Sequence, residues 1–462
     1  MTPTRSAPLP NALTGRRILV GPNEVAGVAC GTAVALARSG ADVRFFNAQD
    51  HHFDPPVEES EHLHRLFKRT VGVASRWQKR SGSTAVVGVL LAGIAKLLAF
   101  FKTCVWAQTI VMIGGKGFFG GGLEYAFFRL LGKRVVHVFV GTASRPRYLS
   151  GYAKGVVKDG RANQEELTRL ARRTRRQARR IRGISRYASV VIENPLCGHF
   201  HERAFVNWFK LGIPFDMAAL EKQPRITNAT PPRTEGKVRV LHCPSSPEVK
   251  GSAQIQQAVE KLIREGLPIE FRQITNVPRA QVLHEIAVSD FVVDQLYSDS
   301  PLAGFAAEVS AFGKAAIVGG YGWQLFPDFL RPEEMPPTAT CHPDDLENCI
   351  RRFALDPARR AEFGANAQEF LLKHWSEEAF AARFARIVSG EIPADWMFSP
   401  AQVRYAHGVG LEESEVRRLI GALVERFGVA SLQVGHSPGL AEQLAEFAAG
   451  KPSGEPSGAT RN

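Results

Sequence analysis

Cysteine is scarce in this 462-residue chain and shows no pairing pattern. The six present, Cys30, Cys104, Cys197, Cys243, Cys341 and Cys349, form no CxxC pair and no CxH grouping near a second pair. That spacing excludes a zinc finger and a disulfide framework and fits a reducing cytoplasm. The opening residues Met1 to Gly15 are rich in Pro, Ser and Thr without an apolar stretch of signal-peptide type, so a cytoplasmic location is expected. No DxD-like pair stands at a strand end, so no metal site is expected. The glycine cluster Gly114 to Gly122 lacks the GxxxxGK[ST] order of a P-loop, which leaves it as a cleft loop or a plain turn. Acidic residues are also short, 45 Asp and Glu against 58 Lys and Arg, and the net charge of +13 points to an anionic partner. Phosphorylated small molecules, an anionic bilayer and nucleic acid all satisfy that charge.

Apolar residues make up 44% of the chain, enough for more than one core, because a single core stops growing near ~250–300 residues. Short β-branched runs alternate with helical spacing from the start. Arg16 to Gly21 (RRILVG) is a strand, Pro22 to Gly27 a turn, Val28 to Ser39 a helix stopped at Gly40, and Ala41 to Phe46 a second strand. Thr109–Gly114, Arg134–Val140, Ala188–Glu193 and Phe205–Lys210 are further strand candidates. A polar, Pro/Thr-rich stretch around 221–236 reads as a linker. A second βα series follows, with strands at Lys237–Cys243, Pro268–Ile274, Asp290–Leu296 and Ala315–Gly319 and helices at Ser252–Gly266, Arg279–Ser289 and Phe305–Phe312. Alternation of this kind predicts parallel sheets covered on both faces. Helices are expected again at Pro343–Asp356, Pro357–Trp375, Ser376–Gly390 and Leu411–Gly428.

Two stretches stand outside that pattern. Thr84 to Gln108 is apolar but interrupted by Lys96 and Lys102, which argues against a spanning helix and leaves a half-buried helix or one lying on a membrane surface. Arg169 to Gly183 (RLARRTRRQARRIRG) spreads arginine around most of a helix, so a buried core helix is not expected. A solvated face, anionic lipid head groups and nucleic acid are the readings open to it, and no RNA- or DNA-reading motif accompanies it.

Chemistry is expected at the ends of strands in the second series, where helix N-termini bind phosphate. His242 to Gly251 (HCPSSPEVKG) puts Ser245 in the loop and Lys250 beside Gly251 at a helix start, placed to neutralise a diphosphate or simply to be a solvated loop lysine. In Asp294 to Val318, Gly304 and Phe305 open a helix that carries Glu308, which can accept hydrogen bonds from ribose hydroxyls or merely complement the helix dipole.

Together these segments resemble the donor half of the large family of retaining glycosyltransferases that includes glycogen- and sucrose-synthase-like enzymes, the family 4 or group 1 type. The resemblance runs from Val238 to Val388 through HCPSSPEVKG, DFVVDQL, GFAAEVSAFGKAAIV and PDDLENCIRRFALDPARRAEFGANAQEFLLKHWS. It implies an α/β fold of GT-B architecture, two Rossmann-like domains facing a central cleft, with Lys250 on the donor diphosphate and Glu308 on the nucleotide ribose. The first half is similar through RILVGPNEVAG, IVMIGGKGFFGGG and RVVHVFVGTASRPR, which put Asn23, Gly27, Gly141 and Arg145 on the acceptor or cleft side. Ser300 replaces the family's sugar-contacting glutamate eight residues before Glu308, and Val140 replaces the histidine of the HGSDIR-like turn.

The domain plan implied is a disordered arm (1–14), an acceptor domain (15–222), a linker (223–236), a donor domain (237–390), a helical extension (391–450) and a disordered tail (451–462). The expected activity is metal-independent transfer, without a cofactor, of a sugar from a nucleotide-diphosphate donor to a glycan or lipid-linked acceptor in surface polysaccharide synthesis. Anionic membrane is an expected partner and nucleic acid is not; no catalytic residue is assigned. A degenerate relative acting as a binding or scaffold partner and a nucleotide-sugar epimerase are the alternatives.

Overall fold

The computed structural model describes residues 13–47 except Ala26, then 69–70, 72–73, 76–77, 83–119, 122–158, 160–215 and 234–450. Most of the expected arm and linker and the whole tail lie outside these residues. Leu13, at the end of that arm, is fully buried in the first core.

Fourteen strands are described: β1 Arg17–Val20, β2 Asp42–Phe45, β3 Thr109–Ile113, β4 Arg134–Val138, the hairpin β5 Val157–Lys158 and β6 Arg161–Ala162, β7 Val190–Glu193, β8 Phe205–Asn207, β9 Val238–His242, β10 Ile269–Gln273, β11 Phe291–Ser298, β12 Ala315–Gly320, β13 Ala339–Cys341 and β14 Met397–Phe398. The first sheet has the order β14-β8-β7-β4-β3-β1-β2 and the second β10-β9-β11-β12-β13. Every pairing in the two sheets is parallel except β14 with β8. Both faces of each sheet are covered. Along β3, Ile110 and Met112 enter one core while Val111 and Ile113 enter the other, so apolar residues run without alternation of polarity. The second sheet divides likewise, with Leu241 and Val292 on one face and Val240, Phe291 and Val293 on the other.

The expected strand Phe205–Lys210 stops at Asn207, because the Asn207 side chain accepts from the Phe209 N–H at 3.0 Å and starts a 3-10 turn. The arginine run lies in one helix, Gln164–Tyr187, capped by Asn163. Its arginines do not surround the helix: a stripe of Leu167, Leu170, Thr174, Gln177, Ala178, Ile181 and Ile184 is buried against the first sheet, and the expectation of an unburied helix is corrected to an amphipathic one. The apolar stretch is a helix, Ser83–Trp106, long and apolar enough to cross a membrane and buried only along a narrow stripe through Ala95, Ala99, Phe100, Thr103 and Cys104, with Lys96 and most of its apolar side chains exposed.

After the second sheet the chain returns to the first. The helix Glu377–Ser389 inserts Phe380, Phe384 and Ile387 among Ala29, Leu36 and Val111, and Glu377 pairs with Arg38. The helices Glu413–Phe427 and Pro438–Ala448 cover the opposite face. The carboxyl ends of the two sheets face each other, as contacts of the loops after β4 with those after β9 and β11 show: Val249 lies against Gly151, and Arg145 pairs with Asp299. Two Rossmann-like halves facing across their strand ends form the GT-B arrangement expected.

Candidate functional site

In an open parallel sheet the crevice opens where neighbouring strands send their connections in opposite directions. In the second sheet β9 lies between β10 and β11, so the switch point is the β9–β11 junction. The loop after β9 and the loop after β11 both leave there.

The β9 loop is shaped by Gly251, whose φ of +72° is left-handed and whose Cβ position would stand 2.8 Å from the Leu296 Cβ. Only glycine joins the turn Pro247–Lys250 to the helix Ser252–Arg264 so close to β11. The joint anchors Lys250, whose Nζ donates to Gln295 Oε1 at 2.7 Å and lies 3.3 Å from Asp294 Oδ1. Below it His242, fully buried, bridges the Val293 carbonyl and the Ser252 hydroxyl, each at 2.8 Å, and ties β9 to β11 and to the helix start.

On the β11 side, Ala303 offers no side-chain cap to the helix Gly304–Ala311; Gly304 is exposed and Phe305 half-buried. Glu308 lies on the second turn, paired with Arg279 at 2.7 Å. Burial raises its pKa against the lowering effect of Arg279. Cys243, the residue after β9, connects the two groups. Burial, then the carboxylates of Glu308, Asp294 and Glu285, push its thiol up to about 12, while Lys250 opposes them. Lys250, on the loop after β9, and Glu308, on the helix that follows β11, both act electrostatically on that thiol, with opposite sign. Ser245 is exposed in the same loop. Ser300 has a buried hydroxyl oxygen without a hydrogen-bond partner.

Across the interface the residues expected from the first half have separate places. Asn23 donates to the Lys116 carbonyl at 2.6 Å, and Gly27 takes a left-handed φ of +81° ahead of the helix Val28–Arg38. That helix start is occupied by Glu24, whose carboxylate accepts from the N–H groups of Val25, Ala29 and Cys30. Gly141, exposed with φ +56°, opens the turn after β4. Arg145 is buried, not open to the cleft: its Nε donates to Asp299 Oδ2 at 2.9 Å, and the two side chains are 6% and 8% exposed. Burial lowers the Arg145 pKa, but Asp299 outweighs it and the net shift is upward. Cys197 and Asn194 also donate to Asp299. Residues 405–410 thread between the halves, with Tyr405 buried, the Val409 N–H on the Leu149 carbonyl at 2.9 Å and the Gly410 N–H on the Tyr297 carbonyl at 3.3 Å.

Sequence reasoning missed Asp294, Gln295, Arg279 and Asp299. Asp294 carried a signal, a carboxylate inside the apolar strand FVVDQL; the other three carried none. Among the described residues no group of three or more His, Cys, Asp or Glu is placed to hold a metal ion.

No protein-family model matches this sequence, and no curated protein matches it. Solved structures do. An alpha,alpha-trehalose-phosphate synthase (UDP-forming) from Burkholderia vietnamiensis is 11% identical with a TM-score of 0.49, over 81% of this chain and 100% of that one. The glycosyltransferase SnogD from Streptomyces nogalater is 14% identical with a TM-score of 0.39, over 80% and 99%. Anabaena Alr3699/HepE in complex with UDP-glucose is 12% identical with a TM-score of 0.39, over 81% and 99%.

Proposed function

We propose that this protein is a glycosyltransferase that binds a nucleoside-diphosphate sugar at the β9–β11 switch point and passes the sugar to an acceptor held by the first half. The observation that carries the reading is the placement of Lys250 on Asp294 and Gln295 at that switch point by the left-handed Gly251 joint, beside the loop that leads to the uncapped helix start at Gly304. On donor binding, the Lys250 ammonium stays beside Asp294 and exchanges Gln295 for the diphosphate, and the Glu308 carboxylate exchanges Arg279 for the ribose hydroxyls. As the bond between the anomeric carbon and the phosphate oxygen breaks, negative charge grows on the diphosphate, and Lys250 with the uncapped N–H groups at Gly304 and Phe305 stabilises it in place of a metal ion. Retention of anomeric configuration belongs to this proposal through the family resemblance.

The reading extends to place and acceptor. The helices Ser83–Trp106 and Leu123–Leu130 expose Leu90, Leu98, Phe101, Val105, Leu123 and Leu130, the last three by more than 80%. The two helices meet through Phe100 and Phe127, ring centroids 5.6 Å apart; exposed apolar surface of this kind marks an interaction site, and the Arg-rich helix packs beside it, with Gly122 against Gly183. Apolar insertion and arginine attraction to anionic lipid reinforce each other. We take the protein to work in the cytoplasm at a membrane surface on a lipid-linked acceptor in polysaccharide synthesis.

The test is a panel of nucleoside-diphosphate sugars, read first as ligand-induced thermal stabilisation and then as release of nucleoside diphosphate in the presence of membrane extract. Stabilisation by one donor with acceptor-dependent release is expected. A panel without any stabilising nucleotide overturns the reading, and solvent hydrogen exchange into the sugar without release would make the protein an epimerase. Flotation with anionic and neutral liposomes tests the membrane part; absence from anionic liposomes at low salt refutes it.

A further inference from the structure

Some arginines of the two halves have carboxylate partners, and others on the outer face of the helix Gln164–Tyr187, Arg172, Arg173, Arg175, Arg176 and Arg179, are exposed to solvent. Arg145 has Asp299, Arg169 has Glu165 and Glu166, Arg182 has Glu202, and Arg279 has Glu308. Arg147 and Arg180 do not: among the described residues neither forms an ion pair. We propose that these two arginines form a second anion site, in the first half, that takes a phosphate or diphosphate group carried by the acceptor; this deepens the glycosyltransferase reading and rests on it.

The site lies at the carboxyl ends of β3 and β4. Arg180 reaches it from the helix Gln164–Tyr187, half-buried, with its Nε buried and without an acceptor. Its nearest hydrogen-bond partner is the Ala143 carbonyl, 3.5 Å from Nη2, at the limit of such a contact. The β3 loop comes so close that a Cβ on Gly115 would stand 3.2 Å from the Ala143 Cβ and 3.4 Å from Arg180 Nη2. Glycine there keeps the space beside the guanidinium open. Arg147 enters from the loop after β4, half-buried, and earlier in that loop Gly141 and Thr142 are exposed. Gln177, one turn before Arg180 on the helix, holds the start of the turn that carries Arg147, its Nε2 donating to the Arg145 carbonyl at 2.9 Å; burial first, and then the charge of Arg147, lower the Arg180 pKa, with Tyr125 opposing them. The Glu124 carboxylate accepts from the Phe118 and Phe119 N–H groups at 2.7 and 3.2 Å.

Two half-buried guanidinium groups that repel each other, with no counter-ion, cost stability unless an anion joins them. The planar donor fork of arginine matches phosphate oxygens in pairs. Exposed Arg173 and Arg176, two turns and one turn before Arg180 on the same helix, extend the positive surface outward from the site and steer an anion toward it. Lys250 belongs to the other half, so the donor diphosphate and the acceptor phosphate are met by different residues.

Titration of the full chain with inorganic pyrophosphate, with UDP at saturation to occupy the Lys250 site, tests this. Pyrophosphate is expected to bind, and Arg180→Gln and Arg147→Gln are each expected to weaken it at least ~10-fold while leaving UDP-induced thermal stabilisation intact. Arg169→Gln, at an arginine already paired, should change neither. Failure of pyrophosphate to bind beside UDP, or unchanged binding in both glutamine variants, overturns the inference. If no nucleotide stabilises the protein but pyrophosphate binding depends on these arginines, the donor reading fails and the anion site stands. Binding to phosphatidic acid vesicles that Arg180→Gln abolishes assigns the phosphate to a lipid, and competition by glucose 6-phosphate without vesicle binding assigns it to a soluble acceptor.

Discussion

Replacing Lys250 by alanine separates a structural role from a donor-binding role, because the residue has both kinds of partner. In the ligand-free protein its ammonium is the counter-ion of Asp294, a side chain 1% exposed whose Oδ2 already lacks a hydrogen-bond partner. Removing the cation leaves a buried carboxylate unpaired, which costs about 3–5 kcal/mol of stability. In the double variant Lys250→Ala/Asp294→Asn no charge is left behind, and most of the lost stability should return. Donor binding should not return with it. A charge-assisted contact to phosphate is worth about 1.5–3 kcal/mol, so affinity for nucleoside diphosphate should fall roughly 10- to 150-fold in both variants, while affinity for the nucleoside stays unchanged. Urea unfolding measures the first effect and titration calorimetry with UDP and uridine the second. If the double variant regains wild-type UDP affinity, or if uridine and UDP weaken together, Lys250 is a structural residue and the donor site is misassigned.

Other expectations follow from the same geometry. Glu308→Ala should collapse discrimination between ribo- and 2′-deoxyribonucleoside diphosphates, since the proposed carboxylate contact to the ribose hydroxyls is removed; persistence of the preference in competition binding would place the ribose elsewhere. Asp299→Asn should destabilise the contact between the halves by about 3–5 kcal/mol by stranding the buried Arg145 guanidinium, and Arg145→Met/Asp299→Leu should recover most of it, as read by urea denaturation. Burial holds His137 at about 3 and His199 and His407 at about 4, all below the ordinary 6.5. Because the unfolded chain takes up these protons first, stability is full above pH 6.5 and is lost as the pH falls toward 4, by about 1.4 kcal/mol per pH unit for each histidine. Equal stability at pH 7 and pH 5 would contradict that burial.

The order of strands and helices was legible in the chain, because each element shows its period within a dozen residues. The βα alternation around RRILVG and around KVRVLHC, the left-handed glycine after Lys250 and the helix start at Gly304 are local features, and local sterics and hydrogen bonding decide them. Lys250 and Glu308 could be singled out for the same reason, since each follows a strand of buried type. Their ion-pair partners could not. Arg145 and Asp299 lie 154 residues apart and Lys250 and Asp294 44, and no local pattern records which charges meet when strands and sheets close on one another. The arginine run hid a buried stripe, because Leu167, Leu170, Ile181 and Ile184 are sparse among cations and only contact with the sheet shows which face they hold. Likewise the apolar face of Glu377–Ser389 required a core without naming which one, and the structure places it on the first sheet, beyond the strands of the second. Sequence determined the elements and the chemistry at their ends; tertiary structure decided the pairings, because apolar burial is not directional and charges are selected by the partners that packing brings within reach.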